Sequence, residues 1–447
     1  MKKKIVWKSL ALICLGAILA GCGSESAEEG VNEPVAVKEA TDAQTQKDET
    51  REENEAMHEE TRLEPVTLDL SSVDPMELKS ATERAAYFAD WVYVNTKGNT
   101  LVSPLSLNLA LGMAAEGASG QTAKELYDYL GGEDYASFVK DYVTFAESLA
   151  NNGEQDTWSS GYTFRYEIAN SLWINERNRL QEAYRKKMED AFRAEVSPVD
   201  FDGDVAGTVK KINSWCKEKT HDMIPEIVKE SDIKPNMKAI LINSLYFESP
   251  WLEKWSLKEH EFTDFSGNKT TQEMLFGGAN QYYENDQAIA FGKNYYNGFS
   301  FIGILPKTEG EFSILNLDLE SLLKSESSDY VVTALMPKLN YDSTGDALED
   351  LLRSEGVVAP FETSAQFDKI IDGEELYIDR ILQKCKIELD ENGTKAAAVT
   401  AVMMRANGMM VNEREKKEVI LDRPFAFLIY DRTNEEIVFV GKVTKVQ

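Results

Sequence analysis

The chain has 447 residues, a formal net charge of −29 at pH 7, 43% hydrophobic residues and 28% charged residues. That is enough apolar material for a large core under a charged exterior. The acidic balance speaks against a nucleic-acid partner, whose phosphates would repel it.

Residues 1–21 read as a targeting signal, with Lys2-Lys3-Lys4, an apolar middle from Leu10 to Leu19, then Leu19-Ala20-Gly21-Cys22. That ending resembles a bacterial lipoprotein signal, which implies cleavage before Cys22 and lipidation of its thiol. Lipid there would hold the protein on the extracytoplasmic face of a bacterial membrane, at the cell surface, without spanning it. No later stretch is apolar enough to span. Residues 22–65 are acidic with almost no aromatics, so they bury too little to offset chain entropy and are predicted to be a disordered, self-repelling tether. Residues 66–447 are expected to form one domain, and the protein to be a monomer.

Leu78, Ala81, Ala85, Phe88, Ala89 and Val92 recur at helical spacing. Asn99 to Val102 reads as a short strand running into a helix, with Ser103 as cap and Pro104 at the first helical position. Thr122 is the expected cap of the next helix, closed by Gly131-Gly132. Tyr166 to Ile174 alternates as a strand, and Leu180 to Phe192 and Val205 to Thr220 as amphipathic helices. Met237 to Phe247 is a long apolar strand containing Asn243-Ser244, followed by Trp251. Further strands are expected at Gln281 to Glu284, Phe299 to Leu305, Tyr330 to Lys338, Tyr377 to Leu389, Pro424 to Tyr430 and Ile437 to Val443. Helices early, strands late and no repeating βαβ unit give an α+β fold.

Catalysis finds little support. Of three histidines, His58 lies in the tether, and neither His221 nor His260 accompanies a G-x-S-x-G motif. No P-loop, C-x-x-C or H-E-x-x-H is present, so no catalytic residue, metal or cofactor is expected. Cys14 leaves with the signal. Cys216 and Cys385 remain, as a disulfide or as two buried thiols. Asn243 inside an apolar strand must be hydrogen-bonded, and Ser103 and Ser106 are candidate partners.

The long connection from Glu391 to Pro424 fits neither loop nor strand. Gly393 marks a change of direction. Thr394, Ala396, Ala397, Ala398, Val399 and Thr400 are small or β-branched, suited both to exposure and to entering a sheet. Val411 to Asp422 reads as a solvated return.

Several motifs in this order resemble the serpin family over residues 66–447. They are Asn99 to Ser106 with Gly117 to Thr122, Ala169-Asn170-Ser171-Leu172-Trp173, Ile212-Asn213-Ser214-Trp215 and Asn243 to Phe247 with Trp251. Pro337-Lys338-Leu339, Gly393-Thr394, Arg423-Pro424-Phe425 and Phe439 to Val443 complete the series. The resemblance implies helices packed on a large, mostly antiparallel central sheet, further sheets and an exposed reactive loop. It implies an inhibitor whose loop is cut by a protease, forms a covalent acyl complex and then inserts into the sheet as a strand. The hinge would be Glu391, Gly393, Thr394, Ala396, Ala397, Ala398, Val399 and Thr400. The network that opens the sheet would be Ser103, Ser106, Asn243, Gln383, Trp251 and Lys338, with Lys338 pairing Glu391. Counting from Glu391 places the reactive bond at Asn407-Gly408, with Arg405, Met404 and Met409 as alternatives. From Glu391 to Asn407 is 16 steps, roughly 50 Å at ~3.3 Å per residue, enough to carry a protease across a domain. The partner would be a serine or cysteine protease. Two alternatives remain: a non-inhibitory serpin cleaved as a substrate, and a lipoprotein that binds a solute.

Overall fold

The computed structural model describes residues 68–446, leaving out 79, 132–163, 346–347, 374 and 395–413. The chain divides at residues 62/63 into two units, of which the first lies outside the described residues.

Helix α1 (Ala81–Thr96) opens on a capping box, in which Ser80 and Glu83 each bond the other's backbone N–H, and ends on Lys97 in the left-handed conformation. Strand β1 (Thr100–Val102) runs directly into α2 (Pro104–Gly117). Ser103 caps that helix by accepting from Ser106 N, and Pro104 supplies its first residue. Helix α3 (Gly120–Leu130) follows. Thr122 is not its cap. Ser119 takes that position, and the Thr122 hydroxyl accepts from Gln366 N, tying the helix to a distant loop.

Next come β2 (Arg165–Asn175), α4 (Glu182–Lys187) continued by a π-turn through Phe192, β3 (Glu195–Val199) and α5 (Val205–Lys219). The all-buried β4 (Ala239–Pro250) leads to β5 (Ser256–Thr263), β6 (Lys269–Ala279), β7 (Gln281–Glu284), β8 (Ala288–Asn294) and β9 (Phe299–Pro306). Then follow α6 (Leu319–Lys324), β10 (Val331–Pro337), β11 (Leu339–Gly345), α7 (Leu348–Ser354) and β12 (Arg380–Leu389). The short β13 (Gly393–Thr394), β14 (Lys416–Ile420), β15 (Phe425–Asp431) and β16 (Glu436–Val443) close the chain.

Among the described residues the strands form three sheets, in the orders β11-β12-β13-β4-β2-β3, β1-β16-β15-β9-β8-β7 and β14-β10-β6-β5. Helix α2 is buried almost throughout, with Leu105, Leu109, Ala110, Leu111 and Met113 in the main core, and its start meets the first of these sheets. On the other face of that sheet, Ile212 and Cys216 of α5 share a second cluster with Ile240, Ile242 and Leu382.

Residues 416–422 are not a solvated return. Lys416–Ile420 pair in parallel with Val331 to Leu335, Val419 and Leu421 are fully buried, and the Lys417 ammonium lies over the Tyr282 and Tyr330 rings. Cys216 and Cys385 are free and buried in separate clusters, and burial raises both thiol pKa values.

Candidate functional site

The site is a seam between β4 and β12. These strands pair in parallel from Arg380↔Ile240 to Cys385↔Leu245, and there their ladder ends. At the end beyond, Gly393-Thr394 lies between them, with Thr394 opposite both Leu389 and Ser249 and Gly393 opposite Pro250. One sheet is therefore closed along one part of the seam and parted at the other.

The closed part is bridged by buried amides. Gln383 Nε2 donates to Asn243 Oδ1 (2.5 Å) and to Ser103 O (2.9 Å), while Gln383 Oε1 accepts from Ser103 N (2.9 Å). Asn243 Nδ2 donates to Ser106 Oγ (2.5 Å) and to Asn170 Oδ1 (2.7 Å). Asn243 and Gln383 are directly opposite in the register, so the bond between them staples the two strands. All five side chains are at least 98% buried, which makes each lost partner costly. Four residues from the sequence reading thus meet in one network: Ser103, Ser106, Asn243 and Gln383.

The other two expected members stand elsewhere. Trp251 lies at the parted end, where its indole N–H donates to Asp390 O (2.8 Å) and its backbone N to Asn392 O (3.0 Å). Lys338 also belongs there, its Nζ 3.0 Å from Glu391 Oε2. The Glu391 carboxyl is held below its ordinary pKa by its own backbone N–H first and by Lys338 second.

Between these contacts the chain turns tightly. Asp390 Oδ1 accepts from Asn392 N (2.7 Å) and Gly393 N (3.3 Å), Trp255 N donates to Glu391 O (3.2 Å), and Lys254 Nζ donates to Asn392 Oδ1 (2.9 Å). The turn delivers Thr394 into the sheet with 3% exposure, its hydroxyl 2.6 Å from the Tyr295 hydroxyl. Tyr295, Asp390 and Asn170 were missed in the sequence. Asn170 was detectable, being a polar residue at a strand position facing Asn243, whereas Tyr295 carries no pattern at all.

Of the hinge, Glu391, Gly393 and Thr394 are placed. Ala396, Ala397, Ala398, Val399 and Thr400 lie outside the described residues, as do Met404, Arg405, Asn407, Gly408, Met409 and Cys22.

A family model described as Serpin (serine protease inhibitor) matches residues 86–446. The chain belongs to the serpins. Among its relatives, an uncharacterized serpin-like protein of Thermococcus kodakarensis is 32% identical over 355 residues, covering 77% of this chain and 80% of that one. Iripin-3 of Ixodes ricinus is 28% identical and covers 77% of this chain and 88% of its own. Among solved structures, the thermophilic serpin Tengpin in its native state has a TM-score of 0.69 and 31% identity, covering 86% of this chain and 98% of that one. Serpins are for the most part protease inhibitors rather than enzymes, and membership supports protease inhibition in general.

Proposed function

We propose that this serpin is of the inhibitory kind, trapping a serine protease, or secondarily a cysteine protease, by loop insertion after the loop is cut. The observation that carries this reading is the two-residue strand Gly393–Thr394 seated in the parted end of the β4–β12 seam. Each further residue in that register lies opposite one residue earlier on both neighbours. Residues 395–397 would therefore enter between 246–248 and 386–388, where no β4–β12 ladder has to break. Ala398 would reach the first closed pair, Leu245 and Cys385. Thr400 would reach Asn243 and Gln383, whose staple must open for the strand to advance. No proline interrupts residues 395–407, so every step of the new strand can donate its N–H.

Asn407-Gly408 is the proposed bond, with Arg405, Met404 and Met409 as alternatives. Incubating the mature protein with trypsin, chymotrypsin, subtilisin, elastase and papain tests the reading. We expect a complex that survives denaturing electrophoresis with at least one of them, and the mass of the released fragment identifies the bond. Cleavage by all five without any complex would establish the substrate-only alternative instead.

We further propose that residues 22–65 tether the serpin domain to a bacterial membrane through lipid on Cys22, at the cell surface, where it acts as a monomer. Cys22→Ala is expected to move the protein from the membrane to the soluble fraction. Wild-type protein already soluble would remove the anchor from the proposal.

A further inference from the structure

The side chain of Tyr295, on the link between β8 and β9, touches the hinge through its hydroxyl. It is fixed independently of the loop. Its ring stacks on Trp251 at 4.1 Å and 12°, meets the Phe247 ring edge-on at 5.3 Å, and is 98% buried. Its backbone N donates to Phe299 O and its residue forms an isolated bridge to Trp251. From this post the hydroxyl meets Thr394 Oγ1.

The geometry points to Tyr295 as a positioning residue that pins the register of the inserting strand through Thr394. A strand has a period of two, so a slip of one residue turns every inward side chain outward. Thr394 is paired with Leu389, which lies three strand periods from Gln383 along β12 and therefore faces the same buried side. With Thr394 inward, Ala396, Ala398, Thr400, Val402, Met404 and Ala406 follow inward, all uncharged. Lys395, Ala397, Val399, Ala401, Met403 and Arg405 follow outward. Both charges of this stretch therefore fall on the face opposite the main core, the side of Glu248 and Glu388 at the entrance and of the α5 cluster farther along. Slipped by one, Lys395 and Arg405 would be driven into an apolar interior, where an unpaired charge is very costly. A single hydroxyl pair at the entrance distinguishes these two outcomes before any other residue has entered.

The inference rests on the loop-insertion reading, and its test separates the two. The quantity measured is the moles of serpin consumed per mole of protease trapped, beside the rate at which the loop is first cut. Thr394→Val keeps shape and strand preference but deletes the hydroxyl, while Thr394→Ser keeps the hydroxyl. We expect Thr394→Val to raise consumption about fivefold, the factor for one neutral hydrogen bond, with the cutting rate unchanged. Thr394→Ser should stay near wild type. Tyr295→Phe should match Thr394→Val, and the double variant should be no worse than either. If Tyr295→Phe does not fold, the two Thr394 variants decide from the loop side. Equal consumption for Thr394→Val and wild type, or equal damage by Val and Ser, overturns the register pin alone. A wild-type protein that is only cut overturns the reading beneath it as well.

Discussion

Two strand pairs at the heart of this molecule are held together by different physics. In the sheet containing β15 and β16, Phe425↔Val443 to Asp431↔Glu436 form an antiparallel ladder packed largely with apolar side chains, with the buried Lys442 ammonium held beside Asp90. Phe427, Leu428, Val438 and Val440 are fully buried, and the Phe301 and Phe427 rings stack at 5.1 Å. Even a methyl group fails to fit at Gly441, where a Cβ would lie 2.2 Å from the Phe427 ring. The β4–β12 seam instead has a six-pair parallel ladder stapled by amide side chains. Shape complementarity has no substitute once broken. Hydrogen bonds along a ladder can be remade by another strand that enters between the two. On the proposed reading an inserted strand would remake the backbone ladder of the seam, while its amide staple would part.

Variants on each side probe that contrast. Phe427→Ala should destabilise by about 3–5 kcal/mol, and by the same amount in the intact and loop-cleaved forms, because that pair does not part. Denaturant unfolding of both forms measures this. Asn243→Ala leaves the Gln383 amide and the Asn170 carbonyl short of a partner and should cost the intact form about 1–3 kcal/mol. Its effect on the cleaved form should be smaller, since an inserted strand would already separate Asn243 from Gln383. Equal losses in both forms would erase the distinction between the two sheets.

The smallest effect is expected at the entrance. The side chains of Lys338 and Glu391 are 36% and 33% exposed, so Lys338→Met should cost less than about 1 kcal/mol and less still in high salt. Glu391 has a lowered pKa in the folded protein. Its contribution is therefore complete above the ordinary carboxylate pKa and disappears as pH falls through the lowered value. Wild type and variant melting temperatures should converge in acid. A gap that persists there would assign the loss to the lysine stem rather than to its charge.

The parts legible from sequence were those with a strong local period or a chemical punctuation mark. Apolar runs gave β4 and β15, alternation gave β2, and Ser103-Pro104 gave the start of α2. The strands β3, β5, β6, β8 and β11 were not foreseen. Several carry charge on exposed faces, as in Leu257-Lys258-Glu259-His260-Glu261, so their pairing outweighs their composition. Residues 416–420 misled for the same reason, since only Val419 is fully buried among charged neighbours. At the site, buried polar residues in apolar strands signalled Asn243. The separation of Trp251 from that network depends on which end of a strand each residue occupies, which a linear pattern does not encode.

Strand β14 has a last consequence. It pairs the chain beyond the loop with β10, and Arg414 just before it donates to Ser328 O, so nineteen residues of sequence separate the two held positions Thr394 and Arg414. An uncut chain pinned at both ends can fold inward only as a doubled-back excursion, to about half the depth that one free end allows. Scission removes that limit. On the proposed reading each molecule is therefore single-use. On that reading its capacity is a headcount, set by how many copies are present when proteases arrive, and not by how quickly any one of them works.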